Sequence, residues 1–513
     1  LHLCDRRQRQ MCIRDSCTTS TLTFSADEAG RYFILISATN AGGTTEKEIR
    51  IDVFQLDVPT ISIADADKGF KVLQGSELTI TPIVDSFLET SYSWQINGED
   101  ISNELTCTLP TIELGEYQVR FATHNEDGDD EVTFKVEVCS PDQVDFNWTF
   151  LQTEYNMSAG RTIRIKPVDV NNALDAVYTW TVDNEQVQSG ENDTYLFTSE
   201  QQGEHTVKVE MKNSYILATQ TLKVNVCPPA GTYQRKISAT SSASMNKVYE
   251  YLPAPGQFIN ENHNTTTMAE ACTYAEERIN QTAYVSLGGF GGYIIVGFDH
   301  SIVNDGDYNI AITGNAFDGS SEPGIVWVMQ DENGDGLPND TWYELRGSEY
   351  GKAETWQDYA VTYHKPTGIQ LPTPWTDNHG QSGSIDYLGA FHRQDYYYPA
   401  WVKEKQYTLR GTRLKERNYD QSGNGTYWVN DSYEWGYADN FSAIDRLTDD
   451  DNYNAGPSDN HFKISHAVTF DGKDANLKYV DFIKVQVGVN SKSGWLGEIS
   501  TEVFGIKDFN MLK

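Results

Sequence analysis

The sequence predicts a mainly β protein: tandem β-sandwiches, then a larger, jelly-roll-like β-sandwich domain with one or two short helices. Three observations lead there. A pattern of about 85 residues recurs along the first 228 positions. Apolar and polar residues alternate with period two inside each copy, which puts one strand face in a core and the other in water. The composition, with 29 Tyr, 11 Trp and 40 Gly, suits β-sheets joined by tight turns.

At 513 residues the chain exceeds what one core serves, and 38% hydrophobic with 12% aromatic residues is ample for several. Lys and Arg number 39 against 74 Asp and Glu, for a net charge of −35. Such a surface repels nucleic-acid phosphates and anionic lipid heads, so nucleic acid is excluded as a partner; it favours solubility and bound cations. No apolar run approaches the ~20 residues that span a bilayer, so no membrane-spanning segment is expected.

Residues 1–16, LHLCDRRQRQMCIRDS, lack hydrophobic periodicity, and MCIRDS resembles translated sequencing-adapter sequence. They are expected to be a non-native leader, with the true start, any export signal and any anchor outside this sequence.

Three stretches then align: 29–53, 114–138 and 202–226. Gly30, Gly115 and Gly203 each stand ten residues before Asn40, Asn125 and Asn213. Each Asn is expected to open a hairpin loop between two alternating strands. Upstream, Trp94 in YSWQING and Trp180 in YTWTVDN suit the buried Trp of a mid-domain strand in a sandwich. The expected domains are a truncated copy at 17–55 and full copies at 56–140 and 141–228. They read as spacers, since their loops gather no His, Cys or paired aromatics. Of the seven cysteines, Cys139 and Cys227 end the two full copies. They read as small buried residues, a disulfide being the alternative.

Residues 229–513 carry no such repeat and are richer in Trp, Tyr, Gly and Asp. Strand-like runs at 291–302, 308–317, 324–331, 359–365, 466–472 and 479–489 predict one β domain. A helix is predicted at 267–281, where Thr267 and Glu270 form a capping box and Met268, Ala271, Ala275 and Ile279 an apolar stripe.

Within DENGDGLPNDTWYEL (331–345), Asp331, Asn333 and Asp335 alternate, Gly336 permits a sharp turn, and Asp340 follows. A hard cation such as Ca2+ needs several oxygens from one short loop, and these side chains with the Leu337 carbonyl supply them. The twelfth position is Trp342 and not Glu, so this is no EF-hand; Glu344 could complete the shell only if the chain curled further. An acidic turn without metal is the alternative.

Aromatic density peaks at AFHRQDYYYPAW (390–401) and GTYWVNDSYEWGYADNF (425–441). Phe391, His392, Arg393, Tyr396, Tyr398, Trp401, Trp428 and Trp435 are the candidate ligand-binding residues, because rings provide contact area and neighbouring polar groups orient a ligand. The bland alternative is that half of these rings alternate into the core. No GxSxG elbow or HExxH helix occurs, and no enzyme is expected. His461 and His466, five apart in a predicted strand, would face opposite sides; His364, His379 and His392 could converge.

Four stretches carry a family resemblance: 288–304, 314–350, 396–401 and 482–506. Together they resemble the globular domain of surface-exposed vitamin B12-binding lipoproteins (the BtuH group), and the N-terminal copies resemble PKD-like and Ig-like domains of bacterial surface proteins. The resemblance implies capture of a corrinoid, with cobalamin as ligand, at the cell surface of the outer membrane, and its transfer to a TonB-dependent transporter. Because an imidazole nitrogen binds cobalt, His392 is a candidate cobalt ligand, hydrogen bonding beside Arg393 being the alternative. A carbohydrate-binding or adhesion module is the second reading and a surface glycoside hydrolase the third.

Overall fold

A computed structural model describes residues 21–513 apart from 27–29, 54, 55, 65, 87, 112, 141, 142, 144, 145, 172, 174, 214, 215 and 449–456. The expected leader, 1–16, lies outside the described residues. The chain forms two compact units: one holds the described residues up to Thr60 with Asp85–Ser91 and Thr123–Asp130, the other the remainder.

In the first unit, strands Gly30–Asn40 and Gly43–Val53 make an antiparallel hairpin. The Asn40 carboxamide accepts the Gly42 N–H at 2.8 Å and closes the turn. Phe33, Leu35, Ile36 and Ile49 are exposed on this two-stranded hairpin. In the same unit the Asn125 side chain accepts the N–H groups of Asp127 and Gly128 and donates to the Asp57 carbonyl.

The second unit contains two sandwiches of one plan. In the former, a five-stranded sheet runs in the order Phe70–Leu73, Gly128–Cys139, Gly115–Asn125, Ser91–Ile96, Glu99–Ser102. In the latter the order is Glu154–Ser158, Leu217–Cys227, Gly203–Lys212, Val177–Val182, Glu185–Gly190. In both, the first strand pairs parallel to the last, and a separate two-stranded sheet covers the core. The two tryptophans behave as expected: Trp94 and Trp180 are fully buried, Trp94 packing on Phe121 at 4.6 Å. Period-two alternation does the rest, sending Val207, Val209 and Met211 into the core and their neighbours outward. Cys139 and Cys227 are buried free thiols.

The remaining residues build one large core and a smaller cluster around Tyr433 and Tyr437. Its main sheet has six antiparallel strands in the order Lys247–Leu252, Tyr293–Val303, Tyr479–Val487, Gly324–Met329, Trp342–Leu345, Ala467–Val468. A three-stranded sheet (Ser458–Phe462, Ile310–Gly314, Gly505–Asp508) and a four-stranded one (Ser382–Ile385, Thr373–Asp377, Trp356–His364, Gln406–Arg413) accompany it. The helix Met268–Asn280 starts at the capping box, where Thr267 accepts the Glu270 N–H and Glu270 accepts the Thr267 N–H. Ala271, Ala275 and Ile279 of its stripe are buried, with Met268 packed beside them.

Candidate functional site

The rings of 390–441 divide between core and surface. Tyr398 and Trp401 are 1% and 7% exposed. Trp401 stacks near Tyr251 and donates its indole N–H to the Tyr251 carbonyl, while the Tyr398 hydroxyl donates to the Glu404 carbonyl. Tyr397, Tyr433 and Tyr437 are equally enclosed. Tyr398 and Trp401 are therefore core residues and not part of a recognition face: satisfied polar ends let large rings fill a sandwich interior. Phe391, Arg393 and Tyr427 are exposed, and Tyr396, Trp428 and Trp435 half-buried. Phe391 meets Trp495, Trp435 meets His466 and Tyr396 lies under Lys365, so the outward rings go to separate partners. None of them lines the large cleft described below. His392 holds Glu261 at 2.7 Å, and the Arg393 guanidinium donates to the Gly389 carbonyl.

The histidines do not converge either. His364 lies 3.1 Å from the Thr376 hydroxyl and His379 stacks on Trp356. His461 belongs to a strand, but His466 ends a 3-10 turn, so the single strand expected to hold both is absent.

The acidic loop closes on itself. Asp331 accepts the N–H groups of Gly334 and Gly336, Asn333 accepts that of Asp335, and Asp335 accepts that of Leu337. Gly334 and Gly336 supply the left-handed turns, at φ +77° and +73°. The Leu337 carbonyl accepts from the Asn339 N–H. One oxygen is left over: Asp340 Oδ2 accepts the Glu332 N–H, but Oδ1 is buried without a partner. Burial pushes the Asp340 carboxyl up to about 8. Hard oxygen donors with one free buried carboxylate oxygen fit a hard cation in chemistry. Glu344 takes no part: its carboxylate accepts the Thr412 hydroxyl at 2.5 Å.

Beside this loop the sandwich of residues 141–228, the third sandwich counting the hairpin copy as the first, meets the C-terminal domain. The Arg161 guanidinium lies 3.3 Å from Glu332, donates to the Ala475 carbonyl and to Gln330, and covers the Tyr343 ring. Burial raises Glu332 to about 7, with the Arg161 charge opposing. Arg164 and Lys166 grip Asp358 at 3.0 and 2.8 Å, and Arg410 pairs with Asp169.

Between these clamps opens a cleft of about 630 Å³. Strand register builds its floor. Trp327 stands opposite Lys484 on one side and Glu344 on the other, and Trp342 is two residues from Glu344. The period of two places Lys484, Trp327, Glu344 and Trp342 on the sheet face turned away from Val326, Val328 and Ile483. The far wall is strand Thr162–Ile165 with Lys166–Val170 of the third sandwich.

Electrostatics here are unusual for a sheet surface. The Lys484 ammonium lies 4.7 Å from the Trp327 ring centre and 5.1 Å from that of Trp342. Burial lowers its pKa to about 8, against the opposing pull of Glu250 and Glu344. Burial lifts Glu344 to about 7, against the Thr412 hydrogen bond and the Lys484 charge. The Trp327 indole N–H, buried, has no partner. Two flat rings, a cation and a buried carboxyl thus line one cavity. Sequence reasoning missed this site: Trp327, Trp342 and Lys484 all stood in the motifs that carried the resemblance, but in segments far apart along the chain, and the sandwich wall comes from another domain.

Residues 58–125 and 130–213 match the family model of the PKD-like domain. No curated protein matches the chain. Among solved structures, fibronectin(III)-like modules of CbhA from Clostridium thermocellum are 15% identical, over 35% of this chain and all of that one, at a TM-score of 0.18. The titin domains Z1Z2 in complex with telethonin are 20% identical over 34% and 100%, at 0.16. The Ig1-2 module of Drosophila receptor protein tyrosine phosphatase DLAR is 12% identical over 33% and 97%, at 0.17. Scores this low carry no argument about function. No described helix is long and apolar enough to cross a membrane. PKD-like and Ig-like domains are common in extracellular proteins, and the tandem found here fits a cell-surface or adhesion module.

Proposed function

We propose that the protein is a non-catalytic ligand-binding module of the cell surface, whose ligand sits in the cleft between the third sandwich and the six-stranded sheet. One observation carries this reading: a cavity of about 630 Å³, within the ~300–1,000 Å³ usual for small-molecule sites, joins Trp327, Trp342 and Lys484. The sandwiches act as spacers that hold the domain outward. A corrinoid is the proposed ligand, supported by the long motifs at 288–304, 314–350 and 482–506 that resemble B12-binding surface lipoproteins. Its rim of amides would meet the polar groups and its apolar edges the rings. Delivery to a TonB-dependent transporter of the outer membrane follows from the same resemblance. A sugar is the second reading, since Trp327 and Trp342 offer the flat faces that sugars stack on.

The acidic loop is the proposed structural Ca2+ site, supported by its oxygen donors and the unpartnered Asp340 Oδ1. Calorimetric titration of the full chain with cyanocobalamin tests the ligand: micromolar or tighter binding supports a corrinoid. Absence of heat removes the corrinoid, and a glycan array then decides for or against sugars. Turnover of a chromogenic glycoside, abolished by one carboxylate change, would overturn the non-catalytic reading.

A further inference from the structure

Away from the cleft and the acidic loop, three carboxylates meet inside the C-terminal domain. Glu322 immediately precedes the turn into strand Gly324–Met329, Asp439 lies in the loop after Trp428–Asn430, and Glu502 belongs to the short strand Glu502–Val503. One oxygen from each lies within 4.8 Å of the others. Asp439 and Glu502 are 0% and 4% exposed. No Lys, Arg or His among the described residues pairs with any of the three.

Backbone donors satisfy only part of this group. Asp439 Oδ1 accepts the N–H groups of Asn315 and Ala316 at 2.8 and 2.9 Å, and Oδ2 that of Glu502 at 2.9 Å. Glu502 Oε1 is left with no partner at all. Behind them Glu498, 4% exposed, accepts the Gln257 N–H with Oε1 and leaves Oε2 unpartnered. Its charge reaches Glu502 and feels that of Glu322.

So many buried carboxylates need neutralising, by protons or by a cation. A cation would supply the partner that Glu502 Oε1 lacks. The donors are all oxygen, which selects a hard ion. Ca2+ accepts carboxylate oxygens in flexible geometry, whereas Mg2+ demands a near-ideal octahedron and keeps several waters, which a site this enclosed disfavours. We propose that Glu322, Asp439 and Glu502 bind Ca2+, with Glu498 behind them, at a site separate from the 331–340 loop. The ion joins the start of the Gly324–Met329 strand, the Asp439 loop and the chain's last strands.

Elemental analysis and CaCl2 titration of the EDTA-stripped full chain test this. The double variant Glu322→Gln, Glu502→Gln keeps shape and hydrogen-bonding capacity; it is expected to lose one equivalent of Ca2+ that Asp335→Ala retains. The same equivalents at the same affinities in the double variant and the wild type would overturn the proposal. Should the double variant not fold, Glu322→Gln alone carries the test: one equivalent is expected to bind about tenfold more weakly or worse, and unchanged affinity for every equivalent overturns it.

Discussion

The two full sandwiches and the C-terminal domain are all mainly antiparallel β structures, yet they handle charge differently. Among the described residues the sandwiches bury Thr, Asn, Ser and one His, but no carboxylate. The C-terminal domain buries a series of them, from Asp331 and Glu332 through Glu344 and Asp439 to Glu498 and Glu502. Enclosed carboxylates weaken a fold unless paired, protonated or bound to a cation. On the proposed reading, a spacer has no use for them, while a binding domain retains them to meet a ligand or an ion. The contrast agrees with the proposed division into spacer sandwiches and a binding domain.

The largest expected effect should stay on the spacer side. Trp94→Ala removes a fully buried ring and is expected to destabilise the second sandwich by about 3–5 kcal/mol, while ligand affinity at the cleft stays unchanged. Thermal unfolding and ligand titration of the same variant check both halves. A loss of binding would mean that spacer and cleft are coupled.

pH should separate the two kinds of domain next. Glu344 has its pKa raised from 4.5 to about 7 by burial. The folded state then holds a proton that the unfolded state releases between these values. The stability it contributes is complete below pH 4.5 and falls as pH rises through about 7, by about 3 kcal/mol over the window. Chemical denaturation from pH 4.5 to 8 should show this slope reduced in Glu344→Gln relative to the wild type. Equal slopes would place the Glu344 carboxyl in water.

Smaller again is the repeat's own signature. Asn213 accepts the Ile216 N–H at 2.8 Å and closes its hairpin as Asn40 and Asn125 close theirs. Asn213→Ala should cost about 1 kcal/mol of stability, read by denaturant titration, with no change at the cleft.

What sequence could show follows the same division. Gly, Asn and Trp at fixed spacing exposed the sandwiches because each does a local job: extended entry, turn closure, core filling. The capping box of Thr267 and Glu270 was legible for the same reason, both partners lying within one turn. The ring-rich stretches were not. Tyr398 and Trp401 sit in irregular chain, where no period says which way a side chain points, and density alone does not separate a platform from a core. The cleft was illegible because it is non-local. Register across three strands sets Lys484 beside Trp327 and Glu344, and the opposite wall, Arg164 to Val170, belongs to another domain.

Calorimetric titration of the wild type, Trp342→Ala and Phe391→Ala with cyanocobalamin tests the central claim most directly, since one ring lines the cleft and the other stands exposed away from it. The account predicts that Trp342→Ala weakens binding about tenfold or more and that Phe391→Ala leaves it unchanged. Full affinity in Trp342→Ala with loss in Phe391→Ala would contradict it.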